Sequence, residues 1–75
     1  MNISQLIAQI EEKIVLISNA SEEDIRQLRK DVRTHMRLKW NSTDDLNYAL
    51  RQITNIYELM WKKGYTLEQA KKEVL

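Results

Sequence analysis

The sequence contains no cysteine, no proline and no phenylalanine, and its one glycine is Gly64. Without cysteine there are no disulfides and no thiolate metal ligands. That absence fits a cytoplasmic protein. A single glycine rules out a glycine-rich loop for cradling phosphates, so no nucleotide cofactor is expected. His35 is the only histidine. It cannot build a metal site unless several carboxylates join it, and none cluster near it in sequence. The longest apolar run is "IVLI", residues 14–17, far short of the roughly 18 residues that cross a bilayer. The opening "MNISQLIAQIEEK" has no basic leader and carries early acids, unlike a secretory signal. No membrane partner is expected.

The apolar residues recur at helical spacing. Seventy-five residues make one domain, 1–75, whose folding buries only about 60% of the surface of the unfolded chain. Ile3, Ile7, Ile10, Ile14 and Ile17 form a 4-3-4-3 stripe that predicts a first helix over Ile3–Ser18, with Leu6 beside the stripe. Ser21 and Asp24 have the spacing of a capping box, with Glu22 and Glu23 in the same first turn, where the helix dipole favours acids. A second helix follows to about residue 39, burying Ile25, Leu28, Val32 and Met36. Ser42 or Thr43 caps a third helix, again with acids, Asp44 and Asp45, at its start. Its seam is Leu46, Leu50, Ile53, Tyr57 and Met60, widened by Ala49, Ile56 and Trp61. Lys62, Lys63 and Gly64 are a strong stop. Thr66 and Gln69 form a capping box for a short fourth helix that buries Leu67, Ala70 and Val74. The fold class is therefore all-α: a small antiparallel bundle of three main helices, closed at one end by the short fourth.

Catalysis is not expected. The acid pairs Glu22–Glu23 and Asp44–Asp45 sit at helix starts, where carboxylates satisfy free amides. Ser21, Ser42, Thr43 and Thr66 are caps rather than nucleophiles. His35 lies four residues after Asp31, a spacing that pairs them on a helix.

The most distinctive segment is "RQLRKDVRTHMRLKW", residues 26–40. It carries six Lys/Arg and one acid, Asp31, for a net charge of +5 in a chain of net +1. On a helix Arg26, Arg29, Lys30, Arg33 and Arg37 fall within about 100° of one another, a basic ridge beside the apolar stripe. Glu22, one turn earlier, can offset Arg26. The ridge suits an acidic surface on a protein partner. It also suits nucleic-acid phosphates, with Trp40 at hand for stacking, although four or five charges give only weak, salt-sensitive binding. The plainest alternative is a solvated face. Trp40 and Trp61 lie near helix ends, where an indole can plug the bundle and bond a turn carbonyl. Trp61 and Tyr65, flanking Lys62 and Lys63, are the alternative aromatic contacts. Val15, Leu16, Leu38, Tyr48 and Leu59 fall outside the seams and point to a second buried surface, formed by homodimerisation or on another protein. The sequence thus predicts a small non-enzymatic helical protein, regulator- or adaptor-like, that acts by protein–protein interaction, with nucleic-acid binding through the second helix as the alternative.

Overall fold

A computed structural model describes residues 2–37, 40 and 42–75. Among these described residues four helices form: α1 (Ile3–Ser18), α2 (Glu22–Met36), α3 (Thr43–Lys63) and α4 (Leu67–Val74). Each begins at a side-chain cap. Asn2 accepts from the Gln5 amide, Ser21 from Asp24, Ser42 from Asp45 and Thr66 from Gln69. In α1, α2 and α4 the third helical residue also bonds back, completing a capping box. These bonds satisfy amides that have no intrahelical acceptor.

The C-terminal ends are set by left-handed residues. Gly64, φ 67°, ends α3 as its sequence suggests. Asn19 (φ 57°) ends α1, and asparagine tolerates that conformation better than most residues. The surprise is Arg37, also at φ 57°, whose N–H bonds the Thr34 carbonyl and closes α2 at Met36. The helix therefore stops short of residue 39, and no glycine or asparagine at position 37 announces it. Leu38 and Lys39 lie outside the described residues.

α1 packs most extensively on α3, and α4 docks on α3 as well. α2 also rests on α3, and its packing against α1 is the sparsest of these pairs. At 21 residues α3 is about 32 Å long, matching the 32 Å long dimension of the molecule. It is the post around which the other helices stand. The buried core comprises Ile7 and Ile14 from α1, Ile25, Leu28 and Val32 from α2, Ala49, Ile53, Ile56 and Met60 from α3, and Ala70 from α4, with Ala20 between α1 and α2.

Two seams are turned relative to the sequence pattern. On α1 the inward residues are Ile7, Glu11 and Ile14; Ile3 and Ile10 are half-buried, and Ile17 is 39% exposed. A straight helix turns 100° per residue, so a 3.5-residue stripe drifts off axis by about 20° per heptad. The i, i+4, i+7 row through Glu11 stays at its centre. On α3 the centre is Ala49, Ile53, Ile56 and Met60, with Leu46, Leu50 and Tyr57 half-buried at its edge. Trp61 does not plug the bundle. It is 63% exposed and stacks on Tyr57, with ring centroids 6.2 Å apart. Val15 and Leu59, which fall outside the seams, are half-buried against the core, whereas Leu16 and Tyr48 are exposed.

α4 is fixed by charge as well as by Ala70. Lys71 Nζ lies 2.8 Å from Asp31 Oδ2, and Asp31 also accepts from Gln27 at 2.9 Å. Asp31 is therefore occupied by α4, and the expected pair with His35 is not made; His35 is exposed. The Lys71 ammonium holds the Asp31 carboxyl below its ordinary range, against a smaller upward push from burial. Asp31 in turn raises Lys71, and burial opposes it. A lowered carboxyl pKa gives stability that is present above the unfolded value and lost as pH falls through the folded one. A raised ammonium pKa gives stability that is present below its unfolded value and lost as pH rises through the folded one. The bridge is thus complete between about pH 4 and pH 10. Urea denaturation should show Asp31→Asn less stable than wild type by about 0.5–1 kcal/mol at pH 7. The gap should shrink below about pH 4. A gap independent of pH would mean that the bridge does not hold α4.

Candidate protein-docking groove

The sparse packing of α1 on α2 leaves a groove of about 610 Å³ between them. Glu11 meets Arg29 at equal distances from the turn 19–21, and the lining runs from that pair back to Leu16 and Glu22 at the turn, so the groove follows both helices in opposite chain directions. Its walls are apolar: Ala8, Val15 and Leu16 from α1, Ile25 from α2. Leu16 is 76% exposed at its lip. Glu12 stands on the α1 rim, and Glu22 and Arg26 stand on the α2 rim.

Glu11 and Arg29 close its base. Glu11 is only 7% exposed, and its Oε1 accepts from Arg29 Nη2. Burying a carboxylate is costly unless it is paired, so this ion pair fixes how α2 meets α1. Glu11 Oε2 and Arg29 Nε are both buried and lack partners among the described residues. One is an acceptor and the other a donor, so a side-on fork would satisfy both.

The ridge on α2 is accordingly not a uniform wet face. Arg29 is turned inward to Glu11, with 43% of its side chain exposed. Its guanidinium also lies 5.6 Å from the centre of the Trp40 ring, and that of Arg33 lies 5.4 Å from the same ring. Trp40 is half-buried and takes two cations on its rings. Its buried indole N–H has no acceptor among the described residues, so the expected bond to a turn carbonyl is not seen. Arg26 pairs loosely with Glu23 at 3.6 Å rather than with Glu22, both side chains being well exposed. Such a pair contributes little. Lys30 and Arg37 are exposed and make no ion pair among the described residues, and Arg37 stands past the helix end. Of the five ridge residues, four remain on the helix and one of those is spent internally.

The three aromatic candidates do not converge. Trp40 belongs to α2's arginines and Trp61 to Tyr57. Tyr65, half-buried, has Lys63 Nζ 5.9 Å from its ring centre. Among the described residues no group of three metal-ligating side chains is brought together, and no helix is long and apolar enough to cross a membrane. The sequence reading missed Glu11. The signal was present: Glu11 lies four residues after Ile7 and three before Ile14, on the same face, and Arg29 is an arginine near the edge of a facing stripe.

No family model, curated protein or solved structure matches the chain.

Replacing Arg29 alone by Met strands the Glu11 charge, and should cost about 2–3 kcal/mol, below the full range for a wholly buried pair because Arg29 is part-exposed. Replacing both, Glu11→Leu with Arg29→Met, should recover most of that loss. Urea midpoints of four proteins, wild type, Arg29→Met, Glu11→Leu and the double variant, measure it. Additive losses in the double variant would show that the two side chains are not coupled.

Proposed function

We propose that the protein is a small non-enzymatic binding module, regulator- or adaptor-like, that acts by docking another protein in the α1/α2 groove. The carrying observation is the groove itself: an apolar trough between two sparsely packed helices, with Leu16 76% exposed at its lip. An apolar groove between helices is the usual receptor for one face of another helix. The rims define the occupant's chemistry. A partner helix surface that puts a base over Glu12 and an acid over Arg26, with an apolar stripe between, matches both sides.

The arrangement of α2 favours this reading over nucleic acid. Phosphate binding needs several free cations along a line. Arg29 is committed to Glu11, Arg33 shares Trp40 with it, and Arg37 sits past the helix end. Trp40 is half-buried under those arginines rather than presented for stacking.

A photo-cross-linking side chain placed at position 16 tests the reading in cells of the native source, against a control at exposed Lys72 on α4. Position 16 should give discrete protein adducts that weaken with Arg26→Glu or Glu12→Lys, and position 72 should not. Adducts to nucleic acid, or equal labelling at both positions, would contradict it.

A further inference from the structure

α1 is unusually apolar for a helix on the outside of so small a bundle. Of its 16 residues only Glu11, Glu12 and Lys13 are charged, and Glu11 is turned inward. Leu6, Leu16 and Ile17 remain exposed. A helix apolar on so much of its circumference is one that something covers. The rims of the adjoining groove say what. Glu12 is the charge on the α1 side, and Arg26 is the cation on the α2 side. The Glu11–Arg29 bond sets the relative height of the two helices. Glu12 is one residue further toward the turn than Glu11, and Arg26 is three residues nearer the turn than Arg29. At 1.5 Å per residue the two rim charges therefore stand about 3 Å apart in height. Glu22 is four residues nearer the turn than Arg26, about 6 Å higher, and so does not face Glu12.

We propose that the occupant of the α1/α2 groove is a second copy of this chain, related by a two-fold axis running along the groove, with Glu12 of each copy paired to Arg26 of the other. This deepens the protein-docking reading and rests on it. The symmetry follows from the rims. A two-fold axis along an antiparallel helix pair lays each α1 over the other copy's α2, at the same height and in the opposite direction. Glu12 of each copy then meets Arg26 of the other, once on each side of the axis, while Glu22 stands about 9 Å from the height of Glu12. A rim of one sign on both helices would repel its own copy. The same operation sets Leu16 over Ile25 of the second copy, and the two grooves close face to face as a four-helix bundle. Two helices about 24 Å long and about 20 Å across offer roughly 500 Å² per copy. That is below the roughly 800 Å² of a stable interface, so the dimer is a weak one that forms at high micromolar concentration.

Analytical ultracentrifugation from about 10 µM to 1 mM measures this. Wild type should pass from monomer to dimer. Glu12→Arg and Arg26→Glu should each raise the dissociation constant at least about tenfold, because each places like charges together twice. An equimolar mixture of the two variants should dimerise again, since every cross-contact is then between opposite charges. Leu16→Glu should abolish the dimer, and because Leu16 is exposed it should leave the helical circular dichroism and melting temperature unchanged. Wild type that stays monomeric at 1 mM would overturn the proposal, as would a dimer indifferent to both reversals or a mixture that fails to recover. A monomeric wild type whose position 16 still cross-links a protein of another mass, in a rim-dependent way, would remove the second copy and leave the docking groove standing.

Discussion

A carboxylate on the inner face of an apolar helix must find a cation, and in this protein that requirement governs the arrangement of the first two helices. Glu11 stands between Ile7 and Ile14 on the row of α1 that faces the bundle. No side chain of α1 itself answers it. Arg29, from the facing helix, does. A long arginine reaching across to a buried acid fills the space that two apolar side chains would fill by touching. The helices meet through the ion pair rather than through close packing, and the groove above the pair is the consequence. The same contact takes the central cation out of the basic ridge and brings Arg29 and Arg33 together on Trp40. The charge on α2 thus has more to do with holding the molecule's shape than its net value of +5 over residues 26–40 implies.

The remaining architecture follows from α3. It is long enough to span the molecule, and the other three helices pack on it. α1 and α3 share an apolar seam and α4 adds Ala70, while Asp31 and Lys71 tie the last helix to the second. α2 is therefore held at both edges by charge, through Arg29 toward α1 and Asp31 toward α4. Between those edges Leu28 and Val32 are fully buried. This division leaves α1 and α2 joined at their base and open at their lip.

What could be read from the chain was whatever is local. Ser21 with Asp24 and Thr66 with Gln69 mark helix starts by spacing alone, and both boxes form. Gly64 marks the end of α3 because only a left-handed residue fits there. Four helices in a small bundle follow from such signals and from apolar periodicity. What could not be read depends on contacts between helices. Arg37 ends α2 early with no local signal. The burial of Glu11 was visible in its phase on α1, but the five isoleucines, spaced in heptads, drew the axis away from it. Asp31 looked like a partner for His35 four residues on, until a lysine forty residues further along the chain took it. Trp61 had the pattern of a core residue and lies outside because α3 turns its small Ala49 and its Ile56 toward its neighbours instead.

The central claim is that α1 and α2 are bridged at their base by Glu11 and Arg29 and stand apart above it. Nuclear magnetic resonance of a dilute, monomeric sample tests this most directly, through the Arg29 side-chain protons and the Leu16 methyls. The account predicts slow solvent exchange at Arg29 Nε–H with cross-relaxation to the Glu11 side chain and the Trp40 ring, and no cross-relaxation from the Leu16 methyls to the Ile25 side chain. Rapid exchange at Arg29 together with Leu16 methyls in contact with Ile25 would describe a closed helix pair, and would contradict it.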